Sequence, residues 1–312
     1  MIASARPTLQ GIWIPATTPF ADNGSVDAGL FVAHCQWLLA NGAAGIAPFG
    51  TTSEGNSLSA EEKRTLLQAL IGAGIPAAQL MPGTGACALP DAVAQTRAAV
   101  DAGCAAALVL PPFYYKAAIN DDGLYAFFNE LIEQVGSSDL RICLYHIPPV
   151  AQVGFSLALI GRLLARHGDT IVGLKDSSGT FEYTRSVLQA YPQLRVFAGS
   201  ESFLLDTLRA GGAGCITATG NLNIAAISQV HARQGEADAP DLQSAITRRR
   251  KIIEGYPVIP SLKAVLAQVH GAPAWANVRA PLLRLADASR NTLFDALAAD
   301  GFAPARRREA LA

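Results

Sequence analysis

Eight short apolar runs, each followed by a longer stretch of helical periodicity, constrain this chain more than any other feature. The runs occupy 11–16, 45–49, 80–83, 107–110, 141–146, 171–175, 195–198 and 214–217. Apolar spacing typical of amphipathic helices fills 28–40, 60–73, 89–102, 123–134, 157–166, 181–190 and 202–210. Ser59 and Glu62 form a capping-box signature at one helix start. Asn41-Gly42 and Ala210-Gly211-Gly212 suit left-handed helix ends. A strand buried on both faces reads as an unbroken apolar run, as in parallel sheets. Strand followed by helix, eight times over, predicts an α/β chain folded as a (β/α)8 TIM barrel, with a doubly wound open sheet as the alternative.

After about residue 222 the strands stop. Helices are expected over 223–269 and 280–297, broken at Gly255-Tyr256-Pro257 and Gly271-Ala272-Pro273. The expected organisation is a barrel over 1–222 with a C-terminal helical extension over 223–312 packed on it. Arg306-Arg307-Arg308 reads as a solvated helix end.

Of the 312 residues half are hydrophobic and 16% charged, with a formal net charge of −1. That balance supports a large core and leaves no basic footprint for nucleic acid. No apolar stretch reaches the roughly 18–20 residues of a transmembrane helix. The start lacks a basic segment followed by an apolar one, so a cytoplasmic protein is expected. The five cysteines are scattered without a C-x-x-C spacing, and no two histidines stand at ligand spacing. Neither a disulfide framework nor a metal site is expected.

Lys175 closes the run Ile171-Val172-Gly173-Leu174-Lys175. Side chains alternate along a strand, so Lys175 shares a face with Ile171 and Gly173 and ends up inside the barrel. Burial disfavours an ammonium ion, and a free amine attacks ketones to form Schiff bases. The competing reading makes Lys175 and Asp176 an ion pair on the surface.

Barrel enzymes carry their chemistry at the C-terminal ends of strands. The second strand ends in Gly50-Thr51-Thr52-Ser53-Glu54-Gly55, whose hydroxyls and free amides suit a carboxylate; an ordinary polar loop is the alternative. The fourth ends in Pro111-Pro112-Phe113-Tyr114-Tyr115-Lys116, two phenols fit for a site or a subunit contact. On the fifth, alternation turns Tyr145 inward at the height of Lys175 and His146 outward to a structural role. Glu201, at the end of the seventh, is placed either to contact substrate hydroxyls or to face solvent.

Taken together these residues resemble the pyruvate-dependent Schiff-base lyases that include dihydrodipicolinate synthase and N-acetylneuraminate lyase. The resemblance covers residues 11–282 and rests on Gly50–Glu54, Pro112-Phe113-Tyr114, the Tyr145-x-x-Pro148 motif and Gly173-x-Lys175-Asp176-Ser177. It implies that Lys175 forms the imine and that Tyr145 is the general acid/base. Thr51 would relay protons from Tyr145, and Tyr114 would complete the relay in a neighbouring subunit of a homotetramer built as a dimer of dimers. Thr52 and the amide of Ser53 would hold the pyruvyl carboxylate, with Ile216 lining the pyruvate site. Such enzymes need no nicotinamide, flavin or metal; their partners are pyruvate and an aldehyde, or the 2-oxo acid that the two make.

Ser53 replaces the usual Gly of the family, and His146 a frequent Asn. Val150 stands where the lysine-pathway synthases carry an Arg for the aldehyde's carboxylate, and no Arg occurs from His146 to Gly161. Gln152 offers no charged fork there. Glu201 falls near the position where sugar-acid lyases contact hydroxyls. The expected activity is a class I aldolase or lyase acting on a 2-oxo-4-hydroxy acid. The alternatives are a 2-keto-3-deoxy sugar acid dehydratase, 4-hydroxy-tetrahydrodipicolinate synthase (disfavoured by Val150), and a non-catalytic 2-oxo acid sensor.

Overall fold

The computed structural model describes residues 9–302, so Arg306-Arg307-Arg308 lies outside the described residues. Seven parallel strands are formed: β1 (Gly11–Ile14), β2 (Gly45–Ile46), β3 (Ala107–Val109), β4 (Ile142–His146), β5 (Ile171–Asp176), β6 (Arg195–Ala198) and β7 (Gly214–Ile216). They lie in the order β2-β1-β7-β6-β5-β4-β3. The run over 80–83 joins the two edges. Met81 N–H donates to Ile46 at 2.9 Å, Gly83 N–H to Pro48 at 2.7 Å, and Leu108 N–H to Pro82 at 2.9 Å. Pro82 interrupts the donor row, which accounts for bridges at Leu80 and Gly83 in place of a continuous ladder. The sheet thus closes into an eight-staved barrel.

The helices are α1 (Ala28–Ala40), α2 (Ala60–Gly72), α3 (Leu89–Asp101), α4 (Asp121–Val135), α5 (Pro148–Ala151), α6 (Leu157–His167), α7 (Phe181–Ala190), α8 (Leu204–Arg209), α9 (Gly220–Ala232), α10 (Ala239–Glu254), α11 (Val258–His270) and α12 (Asp287–Ala299). The capping box forms at α2, where Glu62 N–H donates to Ser59 Oγ and Ser59 N–H to Glu62. After α1 the left-handed residue is Gly42 (φ 105°), while Asn41 stays at φ −103°. Asn carries a Cβ that makes that conformation costly, and the adjacent Gly does not.

Helix α9 crosses the expected domain boundary at 222. Its Ile224, Ile227 and Val230 belong to the barrel core with Ile12, Ile14 and Ile46. The hydrophobic run continues past 222 because the last barrel helix needs a buried face. Beyond α9, α10–α12 share a smaller core of Ile253, Leu262, Leu266, Trp275, Leu293 and Leu297. Residues 280–286 are irregular, so the last helix begins at Asp287, later than its apolar pattern suggests. Among the described residues no helix is long and apolar enough to cross a membrane.

Candidate active site

Strands β4 and β5 pair in parallel with Tyr145 opposite Lys175 and His146 opposite Asp176. Alternation therefore sends Tyr145 and Lys175 inward together. Both are almost fully buried, at 3% and 4% exposure, and Lys175 Nζ lies 4.1 Å from the centroid of the Tyr145 ring. Asp176 faces away, accepting from the Thr184 hydroxyl at 2.6 Å and the Ser178 N–H at 2.8 Å. The surface ion-pair reading of Lys175 and Asp176 fails on that burial and that divergence.

The Tyr145 hydroxyl lies 3.2 Å from Thr51 Oγ1. Burial alone would raise the phenol's pKa. The charge of Lys175 and hydrogen bonds with Thr51, Lys175 and Ser177 outweigh burial and leave Tyr145 below the ordinary phenol value. A phenol so poised gives and takes protons more readily than one in bulk water.

Thr51 stands in a loop bent at both ends by non-glycine residues with positive φ, Phe49 at 66° and Glu54 at 54°. Such backbone persists when its surroundings over-determine it, and here they do. Glu54 is fully buried with Lys263 Nζ 2.5 Å from one carboxylate oxygen, while Arg279 N–H donates to the other at 3.0 Å. Both partners come from the C-terminal extension. Burial pushes the Lys263 pKa down to about 8, with Glu54 holding it up in part. Phe49 packs on Phe31, ring centroids 6.2 Å apart.

Lys175, Tyr145, Thr51, Thr52, Ser177 and Ile216 line one cavity of about 790 Å3 at the C-terminal ends of the strands. The volume is within the range of small-molecule sites. Ser53 is fully buried outside that lining, its carbonyl accepting from the Thr18 hydroxyl at 2.7 Å, so its side chain has no part in the cavity. Tyr114 is 78% exposed on the surface and does not line its own chain's cavity. His146 keeps a structural role. Its Nδ1 accepts from Phe155 N–H at 3.0 Å, its ring stacks on Tyr183 at 3.9 Å, and burial lowers its pKa to about 4 against the pull of Asp176.

Glu201 is not brought to the cavity, and the expectation that it contacts substrate finds no geometry here. Its neighbours Ser200 and Ser202 line the cavity, whereas Glu201 is fully buried and holds Arg250 Nη1 at 2.6 Å and the hydroxyls of Thr217 and Thr219. A buried carboxylate without partners would be costly, and Arg250 lies 49 positions away on α10, out of reach of local sequence patterns. Among the lining groups that the sequence did not single out are Ser177, named only within the motif of Lys175, and Arg250 and Lys251. Ser177 stands two residues beyond Lys175 and alternation could have found it. The other two arrive on α10, and nothing local marks them. Among the described residues no three His, Cys, Asp or Glu side chains converge as a metal site.

A buried lysine and tyrosine stand in register at the C-terminal end of a (β/α)8 barrel, the end where barrel enzymes place their active sites. Residues 8–300 match the model of the Dihydrodipicolinate synthetase family. The chain belongs to that family and is an enzyme of the lyase class. It is 37% identical over 283 residues to an uncharacterized DapA-like lyase of Chloroflexus aurantiacus, covering 89% of this chain and 92% of that one. It is 32% identical over 222 residues to a probable mitochondrial 4-hydroxy-2-oxoglutarate aldolase of Emericella nidulans, covering 70% and 71%. Among solved structures it resembles the chloride-inhibited dihydrodipicolinate synthase of Acinetobacter baumannii complexed with pyruvate. There the TM-score is 0.84 at 28% identity, over 94% of this chain and 99% of that one.

Proposed function

We propose that the protein is a pyruvate-dependent class I lyase that makes or breaks the C3–C4 bond of a 2-oxo-4-hydroxy acid through a Schiff base on Lys175. The observation that carries this reading is the Lys175–Tyr145–Thr51 constellation, within one cavity and linked by contacts of 4.1 and 3.2 Å. Support comes also from the pyruvate held by the similar Acinetobacter synthase.

In the cleavage direction Lys175 Nζ attacks C2, Tyr145 delivers a proton to the carbinolamine hydroxyl, and water leaves. The phenolate, stabilised by the adjacent cationic nitrogen, takes the proton of the 4-hydroxyl. The C3–C4 electron pair then moves into the imine, an aldehyde departs and an enamine remains. Protonation at C3 and hydrolysis return pyruvate and the free lysine. Thr51 passes protons between Tyr145 and the mouth without adding a full charge, and Thr52 holds the carboxylate beside Ile216. Tyr114 reaches the site of a neighbouring subunit, which makes the active form a homo-oligomer, a tetramer by family resemblance. We place it in the cytoplasm.

The dehydratase alternative shares the imine but eliminates water. The non-catalytic sensor is disfavoured because Lys175, Tyr145 and Thr51 are all present. The synthase reading is disfavoured because Val150, 63% exposed at the cavity rim, supplies no cation. Pyruvate with borohydride should leave an irreversible adduct that peptide mass mapping assigns to Lys175. An adduct on Lys116 or Lys263 would refute the assignment.

A further inference from the structure

The cavity lining joins two chemistries. Lys175, Tyr145, Thr51, Thr52 and Ser177 present polar groups. Beyond the strand ends, Ile147, Val150, Phe203, Val258, Ile259 and Leu282 add an apolar wall. Of these, Ile147 alone is buried; the others leave apolar surface in a concavity. Apolar groups left wet in a concave site favour an occupant that covers them.

Polar side chains also border the cavity, and several of them already have protein partners. Arg250 is held by Glu201 at 2.6 Å and by Glu254 at 2.8 Å. Thr247 Oγ1 accepts from Gln243 at 2.8 Å, and Ser200 Oγ accepts from Ser202 N–H at 3.2 Å. Glu201, the one residue whose position suggested hydroxyl recognition, is sealed behind this layer. Against the apolar wall a polyhydroxylated chain would give up its water without matched partners, a loss that a hydrocarbon does not suffer. Lys251 is exposed at the mouth, where an ammonium stays hydrated.

We infer that the aldehyde partner carries an apolar body, aromatic or branched aliphatic, seated on the wall made by Val150, Phe203, Val258, Ile259 and Leu282. This rests on the pyruvate-imine reading above and adds the substrate class to it. The wall comes from α5, from the segment after β6 and from α11 with its following loop. Substrate choice is therefore set by elements outside the catalytic pair.

The test is kcat/KM with pyruvate for benzaldehyde and 3-methylbutanal, set against glyceraldehyde and aspartate semialdehyde, alongside borohydride trapping of pyruvate on Lys175. The apolar aldehydes should lead by about tenfold or more, since one methylene in an apolar pocket is worth about 10–200-fold. Ile259→Asn should lower the benzaldehyde-to-glyceraldehyde ratio about tenfold with trapping unchanged. Val150→Asn, at an exposed position, should lower it in the same direction should the first variant not fold. Trapping on Lys175 with glyceraldehyde or aspartate semialdehyde preferred would overturn the apolar assignment and leave the imine reading standing. A best rate with aspartate semialdehyde that Lys251→Ala removes would identify Lys251 as a carboxylate anchor and overturn it likewise. No trapping on Lys175 would overturn the imine reading and this one together.

Discussion

Replacing Lys263 by Met should unlatch the loop that carries Thr51 from the C-terminal extension. Lys263 and Glu54 are both fully buried, with Nζ 2.5 Å from the carboxylate, and Nζ also lies 4.3 Å from the centroid of the Phe20 ring. Met nearly matches the lysine stem in volume, so the cavity left behind is small. What remains is a buried carboxylate with one neutral donor, Arg279 N–H at 3.0 Å. Stripping one partner from a buried ion pair costs about 3–5 kcal/mol, a large fraction of the roughly 5–15 kcal/mol that holds a typical fold. At about 2–4 °C per kcal/mol for domains somewhat smaller than this one, the melting temperature should fall by about 6–20 °C.

Glu54 in turn sets the bend that carries Thr51 and Thr52, so the folded remainder should bind pyruvate more weakly. The double variant Glu54→Gln, Lys263→Met removes the stranded charge and should recover most of the lost stability. Scanning calorimetry on the three proteins, with borohydride trapping at graded pyruvate concentrations, reads both effects. A Lys263→Met protein melting with the parent and trapping pyruvate equally well would refute the latch.

Three further outcomes are expected. Tyr145→Phe keeps the buried ring and removes its proton, so turnover should fall by roughly 10²–10⁴-fold while pyruvate trapping on Lys175 persists; near-parental turnover would exclude Tyr145 from proton transfer. Mixed oligomers of inactive Lys175→Ala and inactive Tyr114→Phe subunits should regain partial activity, because some sites then pair an intact lysine with a neighbour's intact tyrosine; mixed oligomers that form and stay inactive would refute the role in trans. Burial holds the His34 pKa at about 3, against 6.5 for an ordinary histidine, despite its hydrogen bond to Asn221. The unfolded chain therefore binds the proton first on acidification. Stability should fall as pH drops from about 6.5 towards 3 and not above that window, with a slope that His34→Gln flattens in urea titrations.

The barrel was legible because its signals are local. A strand buried on both faces must be apolar throughout, and β4 and β5 announce themselves in this way. The facing of Tyr145 and Lys175 followed from alternation within each strand once the two strands were taken as neighbours. Stave 80–83 was visible as an apolar run, but its incomplete ladder depends on Pro82 and on both neighbours. Glu201 went the other way. Its place at a strand end was read correctly, yet its direction was fixed by Arg250 on α10, a long-range ion pair that leaves no periodicity. Glu54 was seen as part of a motif, and its latch to Lys263 lies 209 positions downstream. Partners chosen by tertiary packing are what single-sequence reasoning lacks.

That same separation shapes how such a site can vary. Tyr145 and Lys175 sit on strand ends fixed by the ladder between β4 and β5, where a change of register would move both together with the core. The outer wall sits mainly on Phe203, Val258, Ile259 and Leu282, side chains that no strand register depends on. If the proposed imine chemistry holds, substitutions there should alter which aldehyde fits and leave that chemistry untouched. The limit on that freedom is the latch. α11 supplies both Ile259 to the wall and Lys263 to Glu54, four residues and about one helical turn apart. A change that shifts α11 to accommodate a different partner would also pull on the loop that carries Thr51, so the proposed substrate wall and the proposed proton relay share one helix.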